Sequence, residues 1–174
     1  MNSAITRNLG VIIAAAVWVT LPPAGRAADA PQACSKDAHY SEQDFALGKW
    51  DVYSGAQKVA KVHLEKVLNG CGIRFTWTPV GNPEGHEMGL FTYVRLLGHW
   101  VFFAVADTGE TSDFLGDSRA TNDMLYVPRP QSGKRQRHLT LKLQPDGSIQ
   151  QLAMGSTDGQ TWSTEYELIW HKRG

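Results

Sequence analysis

Three side chains in this chain have the chemistry for proton transfer: Tyr93, Asp107 and Arg119. A phenol can donate a proton, a carboxylate can accept one, and a guanidinium can steady the negative charge that develops between them. Asp107 heads the acidic series Asp107, Glu110, Asp113, Asp117 and Asp123. Such a series places carboxylates on consecutive short strands, where they more often form a solvated rim than a catalytic pair. The six histidines, His39, His63, His86, His99, His138 and His171, show no HxxxH, HxH or CxxC spacing, so no metal site is assigned. There is no G-x-S-x-G and no phosphate-binding glycine loop, and no cofactor is assigned. Lys134-Arg135-Gln136-Arg137-His138 is a short basic run, read as a solvated hairpin tip. A second set of candidates is aromatic: Phe75, Trp77, Phe91, Tyr93, Trp100 and Phe102. Within each strand they lie two residues apart, which puts each strand's members on one face.

The elements that must position these residues are short strands. Ser41 to Asp44, followed by Phe45-Ala46-Leu47, reads as one capped helical turn. After it, ten runs of strand character recur between turn signals: 49–53, 59–68, 72–78, 87–95, 100–107, 110–115, 123–127, 137–143, 148–154 and 161–170. Asn69-Gly70, Pro145-Asp146-Gly147 and Asp158-Gly159 are the clearest turns. A meander of this length must hide its edges, and closure into an antiparallel barrel of about 8–10 strands is the simplest way; a flat two-sheet sandwich is the alternative. The run Val101 to Ala106 is apolar on both faces, so its outer side also expects a cover, either the N-terminal leader or a second protomer in a homodimer.

Gly48-Lys49-Trp50 at the start of the first strand resembles the G-x-W of lipocalin-type barrels. There the tryptophan plugs the closed end beneath a basic residue of the last strand, which Trp170-His171-Lys172-Arg173 could supply here. From about Asp44 to Trp170 the chain resembles an exported bacterial family of unknown function with a lipocalin-like (calycin) barrel. The resemblance is carried by Asp44-Phe45, Gly48 to Val52, Leu64-Glu65-Lys66, Asn69-Gly70-Cys71, Trp77, Tyr93 and Trp100, Asp107 and Gly109, Asp146 to Gln151 and Ser156 to Trp162. Ser156 to Trp162 also resembles a sialidase Asp-box one residue short, and is read as a turn with Trp162 packed beneath it. Set against the family pattern, Phe75, Phe91 and Phe102 stand where Glu, a polar residue and Gln are usual. Asp107 falls one residue late after Trp100, which implies a bulge or a changed register. Some calycin-like barrels hold haem through one strand histidine, and His86 or His99 could be placed that way, although a lone histidine is more often structural.

The resemblance and the aromatic parity leave two readings of the interior. One is a packed aromatic core. The other is a pocket for a small apolar or aromatic molecule, with Tyr93 as its polar handle. An enzyme on the same barrel, a cofactor-independent isomerase, cyclase or lyase using Tyr93, Asp107 and Arg119, is a further alternative, and so is a solid structural or interaction module.

The compartment is written near the N-terminus. A short polar start with Arg7 leads into the apolar run Leu9 to Leu21, then Pro22-Pro23 and Gly25-Arg26-Ala27. This is the order of a signal peptide, residues 1–27, cleaved after Ala27 or one residue later, and an export to the periplasm or outside the cell. A leader, 28–43, and a barrel domain, 44–174, follow. The apolar run is short for a membrane anchor, and no second one follows. Cleavage removes Arg7 and Arg26 and no acid, which turns a balance of 17 basic and 17 acidic residues into a slight acidic excess. No cationic face for nucleic acid is expected from such a charge balance. In an oxidising compartment the only two cysteines, Cys34 and Cys71, are expected to bridge, tethering the leader to a strand. Closing a loop of that length stabilises by about 3–4 kcal/mol on the chain-entropy model.

Overall fold

The computed structural model describes residues 34–129 and 136–174; the segment expected to be a signal peptide, the first residues of the expected leader and the basic pair Lys134-Arg135 lie outside the described residues. Ten antiparallel strands close into a barrel. They are β1 (Gly48–Ser54), β2 (Gln57–Val67), β3 (Gly72–Pro79), β4 (Glu87–Val94), β5 (His99–Ala106), β6 (Thr111–Ala120), β7 (Asp123–Pro128), β8 (Gln136–Leu143), β9 (Ile149–Ser156) and β10 (Ser163–Lys172). Each strand pairs with its neighbour in sequence, and β1 pairs with β10 through Trp50↔Lys172, Asp51↔His171 and Val52↔Trp170. The edge problem of a meander is thereby removed, and the architecture fits a calycin-like barrel rather than a two-sheet sandwich.

Up-and-down winding sorts the connections to two ends. The turns at 68–71, 95–98, 121–122 and 144–148 lie at one end, together with the N-terminal segment that leads into β1. The connections at 55–56, 80–86, 107–110 and 157–162 lie at the other. Three short 3-10 turns, Cys34–Lys36, Ala38–Ser41 and Asp44–Ala46, cover the first end. The expected helical turn is therefore of 3-10 type, and its N-cap is Gln43, which makes no side-chain capping bond. The segment is fixed at both ends. Cys34 is disulfide-bonded to Cys71, with Cα atoms 5.1 Å apart. At the other, the Trp50 indole donates to the Ala46 carbonyl (2.8 Å), and Lys172 Nζ sits 5.3 Å from the Trp50 ring centroid. That is the cation–π arrangement expected from the two ends of the barrel sequence.

Two local features depart from expectation. β5 runs from His99 to Ala106 with unbroken register on both sides, so no bulge precedes Asp107, which lies in the turn beyond the strand. Register shifts fall instead at Val52/Tyr53, Ser118/Ala120 and Thr164/Tyr166. β6 also continues five residues past Leu115, because Gly116 lets it pass under a bulky neighbour: a Cβ there would lie 2.5 Å from the Tyr126 ring.

Candidate functional site

The inward-facing residues of β3 to β6 fall into cross-strand rows. One row is Ile73↔Phe91↔Phe102↔Phe114, and it is almost wholly aromatic. Phe91 and Phe102 are stacked with centroids 4.1 Å apart, and Phe75 meets both edge-on at 6.0 and 5.4 Å. Offset and edge-on contacts of this kind each contribute about 0.5–1.5 kcal/mol beyond burial, so the wall is stiff. The next row is Phe75↔Gly89↔Ala104↔Ser112, in which three of the four side chains are small. Gly89 can carry nothing larger, since a Cβ there would lie 2.5 Å from the Phe103 carbonyl oxygen and the Ala104 Cβ. Small residues above a wall of rings leave volume unfilled.

That volume is a pocket of about 320 Å³. Four of the six aromatic candidates line it: Phe75, Trp77, Phe91 and Phe102. Phe114, Tyr126, Leu139, Leu141, Leu168 and Trp170 complete its apolar surface. Tyr93 and Trp100 do not line it. They lie at the capped end, where the Trp100 indole donates to Glu42 (2.8 Å), His39 stacks on the Tyr93 ring at 4.3 Å and the Tyr40 hydroxyl donates to the Tyr93 carbonyl (2.8 Å). Burial, with the carboxylates of Glu42 and Asp37, pushes the Tyr93 phenol up. Tyr93 is thus placed as packing for the cap rather than as a handle inside the pocket.

Nor are the three proton-transfer candidates brought together. Tyr93 sits near the capped end of β4 and Arg119 near the capped end of β6, where it pairs with Asp123 (2.6 Å). Asp107 is at the opposite end and accepts from the Gly85 amide (2.7 Å). Two more of the acidic series are engaged: Asp113 with Arg129 (2.8 Å) and Asp117 with His99 (2.6 Å). His99 therefore faces the outer side of β5, and His86 stands before β4; neither lines the pocket. Among the described residues no three His, Cys, Asp or Glu side chains are grouped as a metal site would need.

The polar groups that do line the pocket are ones the sequence reading passed over. Glu87 has the parity of Gly89 and Phe91 and accepts from the Ser112 hydroxyl (2.9 Å). Partial burial holds its carboxyl above the usual range, against the pull of the Ser112 bond, and the Glu110 carboxylate adds to the rise. Across the barrel, Arg137 donates to Glu165 (2.6 Å). Arg137, read as part of a solvated tip, is in fact an inward residue of β8, and its neighbour His138 stacks on Trp162 at 3.8 Å. Gln151 donates to the Tyr166 hydroxyl at 3.5 Å and accepts from the Trp170 indole (2.9 Å). Tyr126 is buried, and its hydroxyl has no hydrogen-bond partner among the described residues; burial raises it strongly.

The Asp-box-like segment is fold chemistry. The Asp158 carboxylate accepts from the amides of Gln160 (2.8 Å) and Thr161 (2.7 Å) and from the Ser156 hydroxyl (2.9 Å), which holds it well below the usual carboxylate range. Outside the barrel, Met88, Phe103 and Val105 are all more than 40% exposed, and with Leu90 they form an apolar strip over β4 and β5. The chain matches no protein-family model and no curated protein.

Proposed function

We propose that this protein is an exported barrel that binds a small apolar or aromatic molecule non-covalently in the pocket between Phe75, Phe91, Phe102 and Leu168. One observation carries the reading: the aromatic row adjoins the row of Gly89, Ala104 and Ser112 on the same strands, so apolar ring surface borders volume no side chain fills. Protein interiors are normally packed without such voids, and a preformed concave apolar site with a few polar groups is the usual form of a ligand pocket. The resemblance to exported calycin-like proteins supports the same reading. So does the Cys34–Cys71 bridge, which is consistent with an oxidising compartment after removal of residues 1–27. Among the described residues no helix is long and apolar enough to cross a membrane.

The test uses a neutral fluorescent probe, N-phenyl-1-naphthylamine, and the variant Leu168→Trp. The wild type should enhance the probe's fluorescence in a saturable, one-to-one manner, and the added indole should abolish it while leaving the circular dichroism unchanged. Enhancement that survives Leu168→Trp would place the probe elsewhere and defeat the proposal. The strip at Met88, Phe103 and Val105 supports the expectation of a homodimer, and sedimentation of a clean monomer at high concentration would remove it.

A further inference from the structure

The pocket's charges say more about its occupant than its apolar wall does. Two carboxylates and one cation line or border it, and the cation is already used, since Arg137 is bonded to Glu165 at 2.6 Å. Glu87 has no ion-pair partner among the described residues and accepts a hydrogen bond from the Ser112 hydroxyl at 2.9 Å. A half-buried carboxylate without a counter-ion is costly, and its neighbours are rings whose negative faces attract cations rather than anions. An acidic ligand would have to compete with Glu165 for Arg137 and would sit among these faces beside Glu87. A positively charged one would meet nothing repulsive except a guanidinium that is already neutralised.

Resting on the pocket reading above, we infer that the ligand is an organic cation: a flat apolar body seated against Phe91 and Phe102, with an ammonium group reaching Glu87. The ammonium would donate to the carboxylate oxygen that Ser112 leaves available, and Trp77, near the outer end of β3 and in register with Glu87, would offer it a ring face. The pKa displacement of Glu87 agrees with this, because a cation would restore the ionised form that burial disfavours.

The test is calorimetric titration of the full mature protein with three probes of one shape: tryptamine, neutral 3-propylindole and indole-3-propionate. Tryptamine should bind about tenfold or more tighter than 3-propylindole, as a desolvated cation–π contact with a charge-assisted hydrogen bond would give. Indole-3-propionate should bind weakest. In Glu87→Gln the ratio of tryptamine to 3-propylindole affinity should fall to about one. Binding of 3-propylindole without any preference for tryptamine would overturn the cation assignment and leave the apolar pocket standing. A preference that persists in Glu87→Gln would also overturn it. Binding of none of the three would overturn both readings.

Discussion

The two halves of the barrel interior obey the same alternation of side chains and put it to opposite uses. At the capped end Trp50, Trp100 and Trp170 are at most 3% exposed, and in the N-terminal segment, which a disulfide holds, Tyr40 and Glu42 contact Trp100 while His39 stacks on Tyr93. Toward the other end the inward positions are Gly89, Ala104 and Ser112, and the large residues around them line a space instead of filling it. The polar groups differ in the same sense. Most of those at the capped end are tied to backbone or to one another, whereas Glu87 keeps a carboxyl without a cation. Packing is concentrated where the barrel is plugged, and the half that is left hollow is the one proposed to bind.

The sharpest way to break this contrast is to remove the plug. Trp50→Ala should cost about 3–5 kcal/mol in urea unfolding, because it leaves a large cavity and strands Lys172 without its ring. Cys34→Ser with Cys71→Ser should cost about 2–4 kcal/mol and expose the segment before β1 to protease, while the pocket, which the segment does not line, should still take up its probe. A comparable loss from Leu168→Trp would contradict the account. That change puts its added volume into a void and not into a filled core, so its cost should be smaller than either of the other two.

Much of this contrast was legible in the sequence because it rests on parity and turn chemistry. Ten strand-like runs, Gly48-Lys49-Trp50 and the pair Cys34 and Cys71 led directly to a closed barrel, a plugged end and a tether. Aromatic parity put Phe75, Phe91 and Phe102 on one face correctly, but parity says nothing of position along the axis. For that reason parity alone groups Tyr93 and Trp100, two residues from their neighbours, with the pocket, although they lie under the cap. Glu87 and Ser112 could have been found by extending the same parity to small and polar residues. Glu165 could not, because the register shift between Thr164 and Tyr166 changes which side chains point inward. Arg137 was hidden by the basic run around it, which reads as solvated until its pairing with Glu165 is seen.

Smaller effects sharpen the contrast at Glu87. Its folded pKa is raised, so its contribution to stability is fully present below the unfolded value of about 4.3 and is lost as pH rises through the folded one. Glu87→Gln carries no charge at any pH. It should therefore match the wild type in acid and melt slightly higher at neutral pH, by an amount that solvent screening of a partly exposed carboxyl keeps small. Tryptamine stays protonated across this range, so its binding should strengthen as Glu87 ionises and level off above that point. The groups acting on Glu87 are Ser112 and Glu110, and Tyr166 feels the charges of Glu87, Arg137 and Glu165 together.

The central claim, that a small molecule occupies the inside of the barrel, is tested most directly by methyl NMR of the leucine and methionine side chains during titration with 3-propylindole. The account predicts shifts at Leu139, Leu141 and Leu168, which line the pocket, and none at Met88 or Leu90 on the outer strip. Shifts confined to Met88 and Leu90 would contradict it and move the binding site to the outer face.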